Sequence, residues 1–284
     1  MGQYVRNPPE LSEGDLLGRR FKLCNRIDGI NYGEIWEANV ETETPLREVT
    51  LRIEELPFSH DLPESNEEIE SFLAAFDRAN KLPKCRYIPQ VISSELDIPK
   101  QRAFHVFEAL RSRSINSLVS NLEIPFETEV AISFVEKLLN AIEIAHENGI
   151  LHLVLGPDAI LVNENYEPRV IDFAVMPENR SSHTQLGLLV PLYASVAQLR
   201  GHGATEQDDI YSLGCLSYLV FTGELPYGKV ISTEAAISGR DPYNVESLNT
   251  EANTVLSKSV ALDAENRWSS VADFKEAFVR CFAS

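Results

Sequence analysis

The hydrophobic pattern of this chain changes character once, near residue 110, and that change restricts the fold more than any other feature. Before it, short β-prone runs follow one another: FKLCNRI from Phe21, EIWEANV from Glu34 and EVTLRI from Glu48. Turn residues at Asp28-Gly29 and over 41–45 separate them, which predicts three antiparallel strands. Two further strands are expected over 88–96 and 103–108. An acidic loop over 60–67 leads into residues 67–82, where Ile69, Phe72, Leu73, Phe76, Ala79 and Leu82 recur at helical spacing. After the change the pattern is helical. Thr128 can cap a helix reaching His146, with Ala131, Phe134, Val135, Leu138, Ile142 and Ala145 on one face and Asn148-Gly149 as its stop. Residues 208–222 are apolar on almost every side and predict a buried helix. Helices are expected over 250–260 and 269–281, and short strands over 150–152, 160–162 and 169–171. Strands first and helices afterwards define an α+β protein of two lobes. Residues 1–18 are read as a loose tail, 19–108 as a small antiparallel β lobe with one main helix, and 109–284 as a larger, mainly helical lobe.

A chain of 284 residues, 44% hydrophobic, is long enough to bury the core that this arrangement needs. Its 25 Lys and Arg against 43 Asp and Glu give a net charge of −18, which argues against nucleic acid and anionic membrane as partners. The charge suits plain solubility, and it also suits a basic protein partner. Cys24, Cys85, Cys215 and Cys281 lie far apart without a CxxC pair, so neither a zinc site nor a disulfide framework is expected, and a reducing cytoplasmic setting is. The first residues lack an apolar signal core. Gly2 begins an acylation pattern that Arg6 breaks, and no run of about 18 apolar residues exists to span a membrane.

Three stretches, in order and properly separated, carry a specific resemblance. HENGILHLVLGPDAILVNENYEPRVIDFA aligns without gaps on the catalytic loop and metal-binding turn of protein kinases. DDIYSLGCLSYLVFTGELPYG follows the segment beyond their activation loop, and ALDAENRWSSVADF is similar to their closing helix with its buried arginine. The chain therefore resembles the protein kinase fold, in particular bacterial-type serine/threonine kinases, from about residue 17 to 282.

Phosphoryl transfer depends on positioned charge: metal ions and a lysine on the phosphates, and an aspartate at the attacking hydroxyl. The resemblance implies that most of these positions are altered. The GxGxxG loop is Asp28-Gly29-Ile30-Asn31-Tyr32-Gly33, in which Gly33 alone matches; a tight turn accounts for Gly29 and Gly33 equally well. VAIK becomes Val49-Thr50-Leu51-Arg52, with Thr50 where a small alanine touches adenine and Arg52 in place of the lysine. The frame of the following helix puts Ala75 where the lysine's glutamate partner belongs, and Glu70 fits only if the hydrophobic face slips. Arg52 is then either a surface strand arginine bonded to an acidic neighbour or a residual anion contact.

In the catalytic loop, Val154 replaces the proton-accepting aspartate, Gly156 the lysine and Ala159 the metal-binding asparagine. Asp158 is the only acid nearby. DFG becomes Asp172-Phe173-Ala174, where Asp172 either retains a cation or makes a structural hydrogen bond. APE becomes Ser195-Val196-Ala197, so Arg267, the match to the buried arginine, must find another acceptor or sit partly in solvent. Ser181, Ser182 and Thr184 are candidate phosphate acceptors in a solvated loop. His152 and Phe173 match the hydrophobic spine, Asp209 the anchor of the catalytic-loop backbone, Leu161 the residue beneath adenine, and Phe107 the back of the cleft. The implied protein is a pseudokinase, acting as a scaffold or allosteric regulator for a protein partner such as a kinase or another signalling enzyme. The degenerate cleft comprises Gly33, Arg52, Phe107, Leu161 and Asp172. No cofactor is expected beyond weak ATP and Mg²⁺ binding, no catalytic residue is assigned, and Asp172 alone is a residual metal candidate. An ATP sensor and a weakly active atypical serine/threonine kinase are the alternative readings.

Overall fold

The computed structural model describes residues 10–30, 33–55, 74, 77–173 and 190–282. Its first layer is a six-stranded antiparallel sheet in the order β1-β2-β3-β4-β6-β5. The strands are β1 (Leu16–Leu17), β2 (Phe21–Ile30), β3 (Gly33–Val40), β4 (Arg47–Glu55), β5 (Val91–Asp97) and β6 (Arg102–Glu108). Five of them fall where alternation and turn residues predict strands. The β2–β3 hairpin pairs Ile30 with Gly33. One face of the sheet buries Leu17, Leu23, Trp36, Leu51 and Val106 around an edge-to-face pair, Phe21 and Phe104, with ring centres 5.6 Å apart.

The expectation of a loose tail up to residue 18 is corrected over the part described. Leu11 and Leu17 are buried in that apolar cluster. The Gly14 N–H donates to the Leu23 carbonyl and the Leu23 N–H to the Asp15 carbonyl. Two apolar side chains in a polar, proline-bearing stretch give no periodicity, yet they cover the end of the sheet. Of the helix predicted over 67–82, Ala74 and residues 77–79 are helical, and Leu82 is buried just beyond its end; Ile69, Phe72, Leu73 and Phe76, with Ala75 and Glu70, lie outside the described residues.

The second layer begins after the linker that follows β6. It contains β7 (Arg113–Ser114), α1 (Ile115–Ser120), α2 (Thr128–Glu147), a 3₁₀ turn (Pro157–Ala159), β8 (Ile160–Val162) and β9 (Pro168–Val170). Then come α3 (Val196–Leu199), α4 (Glu206–Thr222), α5 (Ser232–Ser238), α6 (Thr250–Ser259) and α7 (Val271–Phe282). Strands β7, β8 and β9 form a small antiparallel sheet at the edge facing the first layer. Every residue of α4 from Asp208 to Phe221 is buried, as its all-round apolar surface requires, and Gly223 ends it in the left-handed conformation at φ 78°. The strand expected over 150–152 does not form. The His152 N–H is drawn onto the Asp209 carboxylate instead, at 2.8 Å. Among the described residues, no helix is long and apolar enough to cross a membrane.

Candidate functional site

The cleft between the layers is crossed by side chains of β4. Thr50 pairs in register with Phe107 of β6 and is 1% exposed. Its Oγ1 accepts the main-chain N–H of Leu110, the second residue of the linker, at 3.0 Å. The Leu110 carbonyl is also engaged, by the Ser112 hydroxyl at 2.7 Å. Behind these bonds Ile35, Phe107, Leu110, Leu161 and Ile171 pack into one buried cluster, with Leu161 and Ile35 both 0% exposed. The sequence positions assigned beneath adenine and at the back of the cleft are therefore in contact with each other through this cluster.

Arg52 is fully buried, which removes the surface-strand alternative. Its Nε donates to Asp172 Oδ2 at 3.2 Å, its Nη1 to the Ile53 carbonyl at 3.1 Å, and Nη2 lies 3.1 Å from Glu54 Oε1. The same guanidinium explains Gly33. A Cβ there would lie 2.2 Å from the Ile53 carbonyl oxygen and 2.5 Å from Arg52 Nη1, so close strand approach demands glycine whether or not a phosphate ever comes near. Asp172 sits at φ 64° and its carboxylate points to Arg52 across the cleft. A cavity of about 20 Å³ lies beside it, lined by His105, Phe107, Ile171 and Phe173 among others. The side chains of Asp28 and Ile30, and residues Asn31, Tyr32, Ala174, Ser181, Ser182 and Thr184, lie outside what is described.

The catalytic-loop positions are apolar and packed. Val154 is 2% exposed in a cluster with Leu153 and Ala194, against which Leu151 and Leu199 lie. Ala159 is 1% exposed, and its carbonyl accepts the Ile171 N–H at 2.9 Å. At Gly156 an added Cβ would meet the Val190 methyl at 3.1 Å, so no longer side chain enters there unless Val190 moves. Asp158 is buried and accepts from the Asn116 amide of α1.

The fold-holding positions are occupied by working contacts. Asp209 accepts the N–H groups of His152 and Leu153 at 2.8 and 2.7 Å and bonds His146 Nε2 at 2.8 Å. His152 packs edge-on to Phe173 with ring centres 4.8 Å apart, and its Nε2 meets the Ile171 carbonyl at 2.9 Å. Arg267 finds its acceptors in the main chain: the carbonyls of Ala261, Gln207 and Leu262 at 2.7, 2.8 and 3.1 Å, with Tyr211 beneath the guanidinium. Burial holds its pKa below the usual arginine range. Ser195 instead caps α3 and donates its hydroxyl to the buried Asp208 at 2.5 Å. Sequence reasoning missed Ser112, Ser195 and Asp208 as contributors, because a serine hydroxyl on a main-chain carbonyl or a nearby carboxylate leaves no periodic signal.

Two buried histidines make stability depend on pH. Burial, helped by the nearby Arg52 charge, pushes the His105 pKa down to about 3. Burial also lowers that of His152. A histidine whose folded pKa is depressed binds its proton more readily in the unfolded chain. Stability is therefore full above the ordinary histidine pKa and is lost as pH falls through the window from about 6.5 towards 3. By pH 5 the His105 contribution alone amounts to about 2 kcal/mol. Urea midpoints should fall between pH 7 and pH 5, and His105→Asn, which keeps an acceptor for the Ser94 hydroxyl, should flatten the fall by about that amount. A slope unchanged in the variant would rule out this source.

A curled antiparallel sheet joined by a short linker to a helical lobe, with an Asp-Phe turn facing the third long strand, is the architecture of a protein kinase domain. The chain belongs to that family: the family model described as the protein kinase domain matches residues 64–279. It is 28% identical over 173 residues to the serine/threonine-protein kinase PknB of Mycobacterium tuberculosis, covering 57% of this chain and 28% of that protein. It is 26% identical over 219 residues to PknA of the same organism, covering 75% of this chain and 49% of that protein. The chain thus spans from about a quarter to half the length of these curated relatives. A solved structure described as the apo form of PpkA-294 shares the fold, with a TM-score of 0.72 at 18% identity over 95% of this chain and 99% of that one.

Proposed function

We propose that this chain is a pseudokinase: a kinase domain that works by binding a protein partner, such as a kinase or another signalling enzyme, and not by transferring phosphate. The observation that carries the reading is the surroundings of Val154. Where the family places a proton-accepting aspartate, this chain buries a valine among Leu151, Leu153, Ala194 and Leu199. The loss of a general base alone costs roughly 10²- to 10⁴-fold in rate. The residues present also do not fit the metal that the family's chemistry uses. Magnesium demands six oxygens in near-ideal geometry and keeps several waters. Here Ala159 supplies no side-chain oxygen and Asp172 faces the Arg52 guanidinium.

The test is direct. The purified chain, incubated with radiolabelled ATP, Mg²⁺ and a basic acceptor protein, should incorporate no more label than its Asp172→Asn variant. The triple variant Val154→Asp, Gly156→Lys, Ala159→Asn should not gain transfer either. Its aspartate enters an apolar cluster and its lysine meets Val190, so composition alone does not rebuild the site. Robust incorporation by the wild-type chain that disappears in Asp172→Asn would sink the reading.

A further inference from the structure

We infer that the interlobe cleft is occupied from within, by side chains that stand in for both parts of a nucleotide–metal complex, and that the two lobes are held together without either ligand. Three features converge. An adenine entering between β4 and Leu161 needs main-chain partners at its edge, because buried ring nitrogens left unpaired are costly. At Leu110 both main-chain groups are engaged inside the protein: the N–H with Thr50 Oγ1 and the carbonyl with the Ser112 hydroxyl. The apolar floor of the cleft is closed, since Leu161 and Ile35 have no exposed surface and share their cluster with Phe107, Leu110 and Ile171, and the cavity of about 310 Å³ beside Thr50 is walled by charged and polar groups, Glu37, Asn39, Glu48 and Arg111. The counter-cation of Asp172 is the Arg52 guanidinium, carried by β4 of the first lobe against the carboxylate of the second at 3.2 Å.

The Arg52–Asp172 pair and the cluster of Ile35 with Leu161 and Ile171 span the cleft, while Thr50 occupies the linker N–H at its edge. Thr50 and Arg52 lie two residues apart on the same strand and so face the cleft together. One strand thereby supplies the hydrogen-bond acceptor and the cation. The inference deepens the pseudokinase reading, since a binding platform of this kind keeps one shape whatever the nucleotide supply.

The experiment follows two readouts on the whole chain: the thermal midpoint with adenosine and with Mg²⁺, each added alone and at millimolar concentration, and hydrogen exchange of the Leu110 amide. Wild-type protein should show no shift with either probe and a protected Leu110 amide. Thr50→Val keeps the volume and deletes the hydroxyl, so exchange at Leu110 should rise about fivefold or more, the factor expected for one lost hydrogen bond. Thr50→Ser keeps the acceptor and should exchange like wild type. A saturable rise of the wild-type midpoint with adenosine overturns the inference, because binding to the native state must raise it. Exchange at Leu110 that is the same in wild type and Thr50→Val overturns it as well. If Thr50→Val does not fold, the wild-type titration still decides. Phosphate transfer by the chain would instead overturn the pseudokinase reading, and the labelled-ATP assay reports that separately.

Discussion

Asp209→Ala should lower the thermal midpoint of the chain by about 10 °C. The residue is fully buried on α4, and its carboxylate is the common acceptor for two main-chain N–H groups and an imidazole. Truncation leaves all three donors without it in a dry interior, and each stranded donor costs roughly 1–3 kcal/mol, though the three share one site and do not add in full. Relaxation at Leu153 offsets part of the loss. That residue holds φ 66°, a conformation that leucine adopts at a cost of about 1 kcal/mol, and its N–H bond to Asp209 at 2.7 Å is what maintains it. A total of about 4 kcal/mol corresponds, for a chain of this size, to roughly 8–16 °C. Asp209→Asn is the informative companion. It keeps one acceptor oxygen and turns an amide donor towards a second N–H, so about half the loss should remain. Calorimetry on the two variants checks both numbers, and a drop of less than about 3 °C for Asp209→Ala would mean that the loop backbone is held by something else.

The same residue marks how far the sequence could be read. Helices α2 and α4 were legible because long periodic runs state their own buried face; α2 begins one residue earlier than expected, with Thr128 as its first residue and Glu127 in the cap position that Thr128 was expected to fill. The strand expected over 150–152 failed because its N–H groups are spent elsewhere: Ile150 on the Ala145 carbonyl at the end of α2, and His152 on a carboxylate 57 positions away. The elements β1, β7 and α3 have two, two and four residues, too few to establish any period. At the site, each position where this sequence differs from the family's catalytic residues could be read singly from its alignment. What replaced those groups could not. Thr50 and Leu110 are 60 residues apart, and Arg52 and Asp172 are 120 apart. No local pattern encodes such pairings; they exist only once the lobes are folded onto each other. Arg267 lies between these cases. Its need for an acceptor followed from the missing glutamate, but the answer, three carbonyls from two segments, required the fold.

Breaking the pair that joins the lobes should cost much more than removing it. Asp172→Ala removes the Nε partner of the buried Arg52 guanidinium, while Nη2 keeps Glu54 at 3.1 Å; breaking a buried ion pair costs about 3–5 kcal/mol, and the remaining partner should hold the loss to about 3 kcal/mol. Arg52→Met strands the Asp172 carboxylate and should cost a similar amount, reduced to the extent that Glu54 relaxes into solvent from its partly exposed position. The double variant Arg52→Met, Asp172→Ala strands neither charge. Replacing a buried pair by apolar groups of similar volume is often neutral or even stabilising, so its cost should fall to about 1–2 kcal/mol, most of it the cavity at residue 172. The coupling energy of the cycle is then about 3 kcal/mol or more, and because both side chains are 0–1% exposed it should hardly change between low and high salt. Urea denaturation of the four proteins at two salt concentrations measures it. Additive single effects, or a coupling that disappears in salt, would mean that the guanidinium and the carboxylate do not bind each other in solution, and the cation held against Asp172 would have to come from elsewhere.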